Sequence, residues 1–272
     1  MSIKRQLLLV LLVAWSSQAF LVLLAVWSSQ GSYSDMDPSV RVVGGKKAPD
    51  GAVPYIAALK NTKDNWQFCG SSIIADRWIL TAAHCIRNSK TGDFVAVVGT
   101  NSRSKGGTKH KIDKKFVHPK STDRPQVNDI ALLRTAEKIT FTEKVKPIKL
   151  PTRATKEGAT VLLAGWGFVD QNGRKVDDNL QWLNVTVTSQ DKCKKTFERY
   201  AKTYPVTDDH LCTLNKAGEG TCQGDSGGGL NENDEVVGVT SWNLPCARGR
   251  PDVFARVYNY VNWIEKTMKE NN

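Results

Sequence analysis

The sequence predicts an all-β fold, built as a sandwich or a pair of barrels, with one helix at its C-terminal end. Two patterns carry that expectation. From Val42 onward, short runs rich in β-branched and aromatic residues alternate with Gly, Pro, Asn and Asp. Near the C-terminus the rhythm changes. Val257, Tyr260, Val261, Ile264 and Met268 follow helical i, i+3, i+4, i+7 spacing, which marks an amphipathic helix whose stripe packs on the core. Composition agrees. A chain of 272 residues, 40% apolar and 24% charged, describes a folded soluble protein and excludes disordered, collagen-like and multi-span membrane chains. It is long enough for one large domain or two closely packed halves.

In chain order, Lys4 and Arg5 precede two nine-residue apolar runs, Leu7–Trp15 and Ala19–Trp27, and Trp-Ser-Ser-Gln recurs at 15–18 and 27–30. A cationic start followed by an apolar stretch is a secretory signal pattern, here assigned to about 1–31. The rival is an uncleaved membrane anchor, which the polar break at 16–18 weakens. The strand-like runs are Ser72–Ile74, Trp78–Thr81, Phe94–Val98, Ile130–Leu133, Thr160–Ala164, Leu183–Thr188 and Val236–Trp242. Lys149–Thr155, with Pro151, is the candidate linker between halves.

All six cysteines (Cys69, Cys85, Cys193, Cys212, Cys222 and Cys246) lie beyond the apolar start. An even number in an oxidising compartment predicts three disulfides, although six cysteines allow 15 pairings. No Cys-x-x-Cys pair suggests structural zinc.

Three segments point to chemistry: Leu80-Thr-Ala-Ala-His84-Cys85, Asn128-Asp129-Ile-Ala-Leu-Leu133 and Gly224-Asp225-Ser226-Gly227-Gly228. A serine hydroxyl is a weak nucleophile near neutral pH and needs an adjacent base, which an imidazole oriented by a carboxylate supplies. Each segment alone is weak, since an isolated His beside an apolar run is usually packed or solvated and Gly-Asp-Ser-Gly is often a turn. In the order His, Asp, Ser, and accompanied by Gly165-Trp166-Gly167 and Ser241-Trp242, they resemble the chymotrypsin-like serine proteases of the trypsin fold. The resemblance runs from Arg41-Val42-Val43-Gly44-Gly45 to the final helix and is nearest to insect chymotrypsin-like and brachyurin-type enzymes.

The resemblance implies two packed six-stranded antiparallel β-barrels, about 42–150 and 151–256, a closing helix at about 257–269 and a serine protease domain over 42–272. His84 is the implied base, Asp129 its orienter, Ser226 the nucleophile, and the Gly224 and Ser226 amides the oxyanion hole. The implied disulfides are Cys69–Cys85, Cys193–Cys212 and Cys222–Cys246. Gly229 stands where relatives usually have Pro, which suggests a looser nucleophile loop. Residues 32–41 read as an activation propeptide: cleavage after Arg41 frees the Val42 amine to pair with Asp225. Because the bond follows Arg, a trypsin-like activator is implied.

Gly220 matches the base of the primary substrate pocket, where trypsins carry Asp, so cleavage mainly after Phe, Tyr or Leu is expected. Ser241, Trp242, Asn243 and Asp252 match pocket walls. Asn243 and Asp252 reduce its volume, and a cavity-facing Asp252 would admit Arg or Lys secondarily. The alternative for Asp252 is a solvated or internally hydrogen-bonded side chain. Protein or peptide substrates and protein protease inhibitors are the implied partners, with a monomer expected and no cofactor.

Net charge is +11, and removing 1–41 takes three positive and two negative charges, leaving +10. The basic run Lys105–Lys120 reads as a solvated face, with an anionic partner such as a glycosaminoglycan as the alternative. Aromatic interleaving suited to nucleic acid is missing from it. Thr100–Lys109, which matches a calcium loop in some relatives, has no Asp or Glu, so no metal is expected. Asn184-Val-Thr186 is an N-glycosylation sequon in a strand-like run. Two other readings of the whole chain are a noncatalytic binding protein on the same fold and a broader brachyurin- or elastase-like protease.

Overall fold

The computed structural model describes residues 42–244 and 246–272. The expected signal segment and propeptide, with Arg41, lie outside the described residues. Strands are β1 Lys46–Lys47, β2 Ile56–Asn61, β3 Gln67–Ala75, β4 Trp78–Thr81, β5 Phe94–Val98, β6 Thr108–Val117, β7 Thr122–Asp123, β8 Gln126–Val127 and β9 Ala131–Thr135. After the connection at 149–155 come β10 Thr160–Gly165, β11 Gln181–Thr186, β12 His210–Thr213, β13 Gly229–Glu232, β14 Glu235–Trp242 and β15 Asp252–Arg256. The helices are α1 Ala83–Ile86, α2 Gln190–Phe197 and α3 Val261–Glu270.

The first half is a closed antiparallel barrel in the order β2-β3-β4-β9-β6-β5, completed by pairing of β2 with β5. Leu59, Ile73, Ile79, Leu80, Val97 and Leu132 on its strands are all buried in one apolar cluster. The second half is a rolled sheet in the order β1-β11-β10-β13-β14-β15-β12 around Val161, Leu163, Val185, Leu211, Leu230, Val237 and Phe254. The chain just past β11 touches β12 through one isolated bridge, Val187 to Thr213, flanked by Thr188 N–H to Cys212 O at 2.9 Å and Leu214 N–H to Thr186 O at 2.9 Å. The second half is therefore a half-barrel with a single bridging contact, in place of the second closed six-stranded barrel expected from the sequence. Lys46–Lys47, counted with the first half from the sequence, pairs with β11 and belongs to the second sheet.

Every strand-like run noted in the sequence overlaps a strand, with offsets of one or two residues at β9 and β11. The sequence hid β6, because Thr-Lys-His-Lys-Ile-Asp-Lys-Lys-Phe-Val reads as a charged run. Its backbone nonetheless pairs with β5 and β9, so tertiary pairing overrides side-chain polarity. Helix α2 also escaped notice, although Ser189 caps it by accepting the Lys192 N–H at 3.2 Å and Cys193 and Phe197 bury its inner face. The closing helix begins as a 3-10 turn, Val257–Tyr260, before continuing as α3. The presumed linker is held to the second sheet, because Lys149 bridges Glu235 and the Val236 N–H donates to Lys149 O at 2.9 Å.

Candidate active site

His84 sits on α1, a single turn too short to persist alone. Two devices hold it. The Cys69–Cys85 disulfide ties the helix to β3, and Lys115 Nζ on β6 donates to the carbonyls of Ile86, Arg87 and Ser89 at 2.8, 2.8 and 2.5 Å. Asp129 precedes β9. Its neighbour Asn128 has φ of +47°, a conformation Asn tolerates, and is anchored by Nδ2 to Lys120 O at 3.0 Å and by Tyr260 OH at 3.2 Å.

These two loops bring imidazole and carboxylate together. The His84 backbone N–H donates to Asp129 Oδ1 at 2.8 Å, and His84 Nδ1 lies 2.7 Å from Oδ2. The carboxylate, only 1% exposed, also accepts from Ser241 Oγ at 2.6 Å and Gln126 Nε2 at 3.0 Å. Burial alone would raise the Asp129 pKa. The His84 hydrogen bond and charge, with the Ser241 bond, outweigh it and bring the value to about 2. Burial pushes the His84 pKa down, but the hydrogen bond and charge of Asp129 prevail and raise it. With Nδ1–H directed at Asp129, neutral His84 keeps Nε2 as the acceptor.

The Ser226 loop packs against the same corner. Gly70 N–H on β3 donates to Ser226 O at 2.8 Å, and a Cβ on Gly227 would lie 3.2 Å from Cys85 Sγ. No hydrogen bond joins Ser226 Oγ to His84 among the described residues. Such contacts commonly tighten only when substrate binds. The backbone N–H groups of Gly224 and Ser226 are likewise unpaired among the described residues, while those of Asp225, Gly227 and Gly228 donate to Cys222, Thr240 and Asp225 carbonyls. Gly224 has φ of +98°, and a Cβ there would stand 2.9 Å from Gly167 Cα, so the turn that exposes these amides demands glycine. Gly229 pairs with Val239 at the start of β13, so the chain after Ser226 is anchored in the sheet.

Asp225 points away from this surface. It is fully buried and accepts from Gly167 N at 2.8 Å and Cys222 N at 3.0 Å. Desolvation pushes its pKa up to about 6, against those two amide bonds. Val42 and Val43 are buried, and the Gly220 N–H donates to Val43 O at 2.9 Å, so the start of the described chain is packed against the loop at 220–222.

Of the pocket residues named from the sequence, Gly220, Asn243 and Asp252 converge on Thr221, which the sequence reading did not single out. Asp252 is internally hydrogen-bonded: its Oδ2 accepts the Thr221 N–H at 2.7 Å, and a Cβ on Gly220 would lie 2.4 Å from that oxygen. Burial, with the nearby Asp225 charge adding to it, raises the Asp252 pKa to about 7 despite its Thr221 bonds. Asn243 Nδ2 donates to Thr221 O at 3.1 Å and Oγ1 at 2.8 Å, tying one wall to the other. Ser241 lies at the edge between the two sites, its hydroxyl turned to Asp129. Trp242 packs on Phe197 and Tyr204 behind the wall.

The three cysteine pairs are Cys69–Cys85, Cys193–Cys212 and Cys222–Cys246. Cys69, Cys85 and His84 cluster, but both sulfurs are committed to a disulfide, which leaves no thiolate to ligate a metal. Asn184 is exposed on β11. The sequence reading missed Gln126, Lys115 and Thr221. Nothing local distinguishes them, since each acquires its role from a residue far away in the chain.

Comparison with known families matches residues 42–264 to the Trypsin family. Chymotrypsin-2 of Vespa crabro is 38% identical over 226 residues, covering 83% of this chain and 99% of the relative. Trypsin Blo t 3 of Blomia tropicalis is 36% identical over 230 residues, covering 82% of this chain and 85% of its own. Among solved structures, neuropsin, a serine protease expressed in the limbic system of mouse brain, superposes with a TM-score of 0.75 at 30% identity, covering 82% of this chain and 98% of that one. The chain belongs to the trypsin family of serine proteases. It is accordingly a serine endopeptidase, a hydrolase of peptide bonds, whose substrates are proteins.

Proposed function

We propose that the protein is a secreted zymogen, activated by cleavage after Arg41, that hydrolyses peptide bonds through an acyl-enzyme on Ser226. The observation that carries this reading is the His84–Asp129 pair standing beside a loop with two unpaired amides, Gly224 and Ser226. His84 takes the Ser226 proton as the hydroxyl attacks and returns it to the leaving amine, while Asp129 stays ionised and balances the imidazolium. The two amides receive the oxyanion, and one such donor contributes about 3 kcal/mol in the transition state. The freed Val42 amine pairs with buried Asp225 and fixes these donors; the burial of Val42 and Asp225 supports that role. Another trypsin-like protease serves as activator, protein protease inhibitors bind the cleft, and the enzyme acts as a monomer. Asn184, exposed and within its sequon, is a glycosylation site.

The test is labelling of the Arg41-cleaved protein with a fluorophosphonate. Labelling at Ser226 is expected; its absence would favour a noncatalytic binding protein.

Cleavage mainly after Phe, Tyr or Leu follows from the uncharged Gly220 and agrees with the relative named Chymotrypsin-2. A second reading, broad specificity that extends to small residues and to Arg or Lys, is favoured by the Asn243–Thr221 tie and by the Asp252 carboxylate against Gly220. A peptide panel separates them. In Asp252→Gly, any Arg or Lys cleavage should fall about tenfold or more relative to Phe. A strong wild-type preference for Arg over Phe would overturn the first reading.

A further inference from the structure

Lys60, on β2, is only 2% exposed, yet among the described residues no carboxylate lies within ion-pair reach of it. A lysine this buried normally has an anionic partner. Its surroundings deepen the problem. The register of β2 and β6 on either side of β5 puts Lys109 on the same face as Lys60. Lys109 and Arg103 both repel the Lys60 ammonium, and its pKa is lowered by burial and then by these two neighbours. Asp178 is the nearby counter-charge, but its oxygens accept from Ser102 Oγ at 2.7 Å and from Ser104 N at 2.8 Å.

Arg103 connects this cluster to the catalytic cleft. Its guanidinium lies 3.8 Å over the ring of Trp66, and its Nε donates to Gln67 Oε1 at 3.3 Å. Gln67 Nε2 in turn donates to Gly224 O at 2.9 Å. Arg103, Trp66, Phe68, Phe168, Val176 and Gly224 line one cavity of about 190 Å³, room for a side chain or two. That cavity shares Gly224 with the oxyanion site but none of Gly220, Thr221, Asn243 or Asp252. If the residue before the cut bond occupies that latter group, the segment reaching Arg103 is the one after it.

We propose that Arg103, with Lys60 and Lys109 adding positive potential behind it, recognises a carboxylate in the substrate segment that follows the cleaved bond, so that the enzyme prefers Asp or Glu there. The inference rests on the reading of Gly224 and Ser226 as the reacting site. The Arg103 guanidinium supplies the charge-assisted bonds, the two ammonium groups raise the local potential, and the apolar walls of the cavity exclude water around the pair. A peptide fits better than a sulfated polysaccharide because the Arg103 end of the cluster opens into an apolar-walled cavity at the cleft.

The experiment uses the activated enzyme and quenched peptides with Phe before the bond and Glu, Gln or Lys at each of the two positions after it. A Phe anilide with no residue beyond the bond serves as the active-site control. The Glu peptide should exceed the Lys peptide in kcat/KM by on the order of tenfold, with the gap shrinking in salt. Arg103→Glu should reverse the order, a gain of function that a misfolded protein cannot show. Anilide cleavage with equal rates for all three peptides overturns this proposal alone, whereas an inert anilide overturns the reading of the active site. Heparin binding that Arg103→Glu abolishes, without any peptide preference, would assign the cluster to a polysaccharide and likewise overturn it.

Discussion

Asp129 is almost wholly removed from water yet stays ionised down to about pH 2, because His84, Ser241 and Gln126 all direct donors at it. The same contact raises His84 against its own burial, so the base we propose for the reaction is lost to protonation at a higher pH than an isolated imidazole would show. Replacing Asp129 with Asn should lower kcat by about 10⁴-fold. It should also move the acid limb of the pH–rate profile to lower pH, since burial of His84 then loses its main opposing influence and only the smaller pull of the Asp123 charge remains against it. A profile with the limb unmoved would mean that Asp129 does not set the imidazole. Ser241, noted in the sequence as a pocket residue, turns out to face Asp129. Chain position identifies a residue type near the cleft, but side-chain direction is decided by packing.

At the scale of elements, α1 is a turn that exists because of its neighbours. Three carbonyls at its end are satisfied by a single ammonium, Lys115 Nζ, delivered from β6. In Lys115→Met those carbonyls lose their partner, and stability should fall by about 1–3 kcal/mol in urea unfolding. The rate constant for hydrolysis should fall with it, while the ratio between Phe and Leu substrates should hold, because the pocket walls come from β14 and β15. A shift in that ratio with no change in stability would contradict this view of Lys115. The β6 strand that supplies it was legible in the sequence only as a basic run. Alternating apolar residues reveal a strand, and β6 buries Ile112 alone.

Across the whole molecule, folding places two carboxylates, Asp225 and Asp252, out of water with their pKa values raised to about 6 and about 7 from 3.8. Between these values and 3.8 the folded chain holds protons that the unfolded chain has released, so stability falls as pH rises through that window. Urea titrations from pH 4 to pH 8 should show the uncleaved chain losing stability. The Arg41-cleaved chain should lose less, because the Val42 amine offsets the Asp225 charge. Identical slopes for the two forms would argue against the Val42–Asp225 pair.

What the amino-acid order determined was local: the residue types around His84, Asp129 and Ser226, the apolar runs that became strands, and cysteines enough for three bridges. Reaction chemistry is legible there because each chemical group comes with its own short stretch of chain. Tertiary structure alone decided that Gln126 and Ser241 support Asp129, that Asn243 reaches across to Thr221, and that Lys60 is buried with no acidic partner among the described residues. Those outcomes depend on barrel closure and strand register, which join residues with long stretches of chain between them and leave no periodic trace in the sequence.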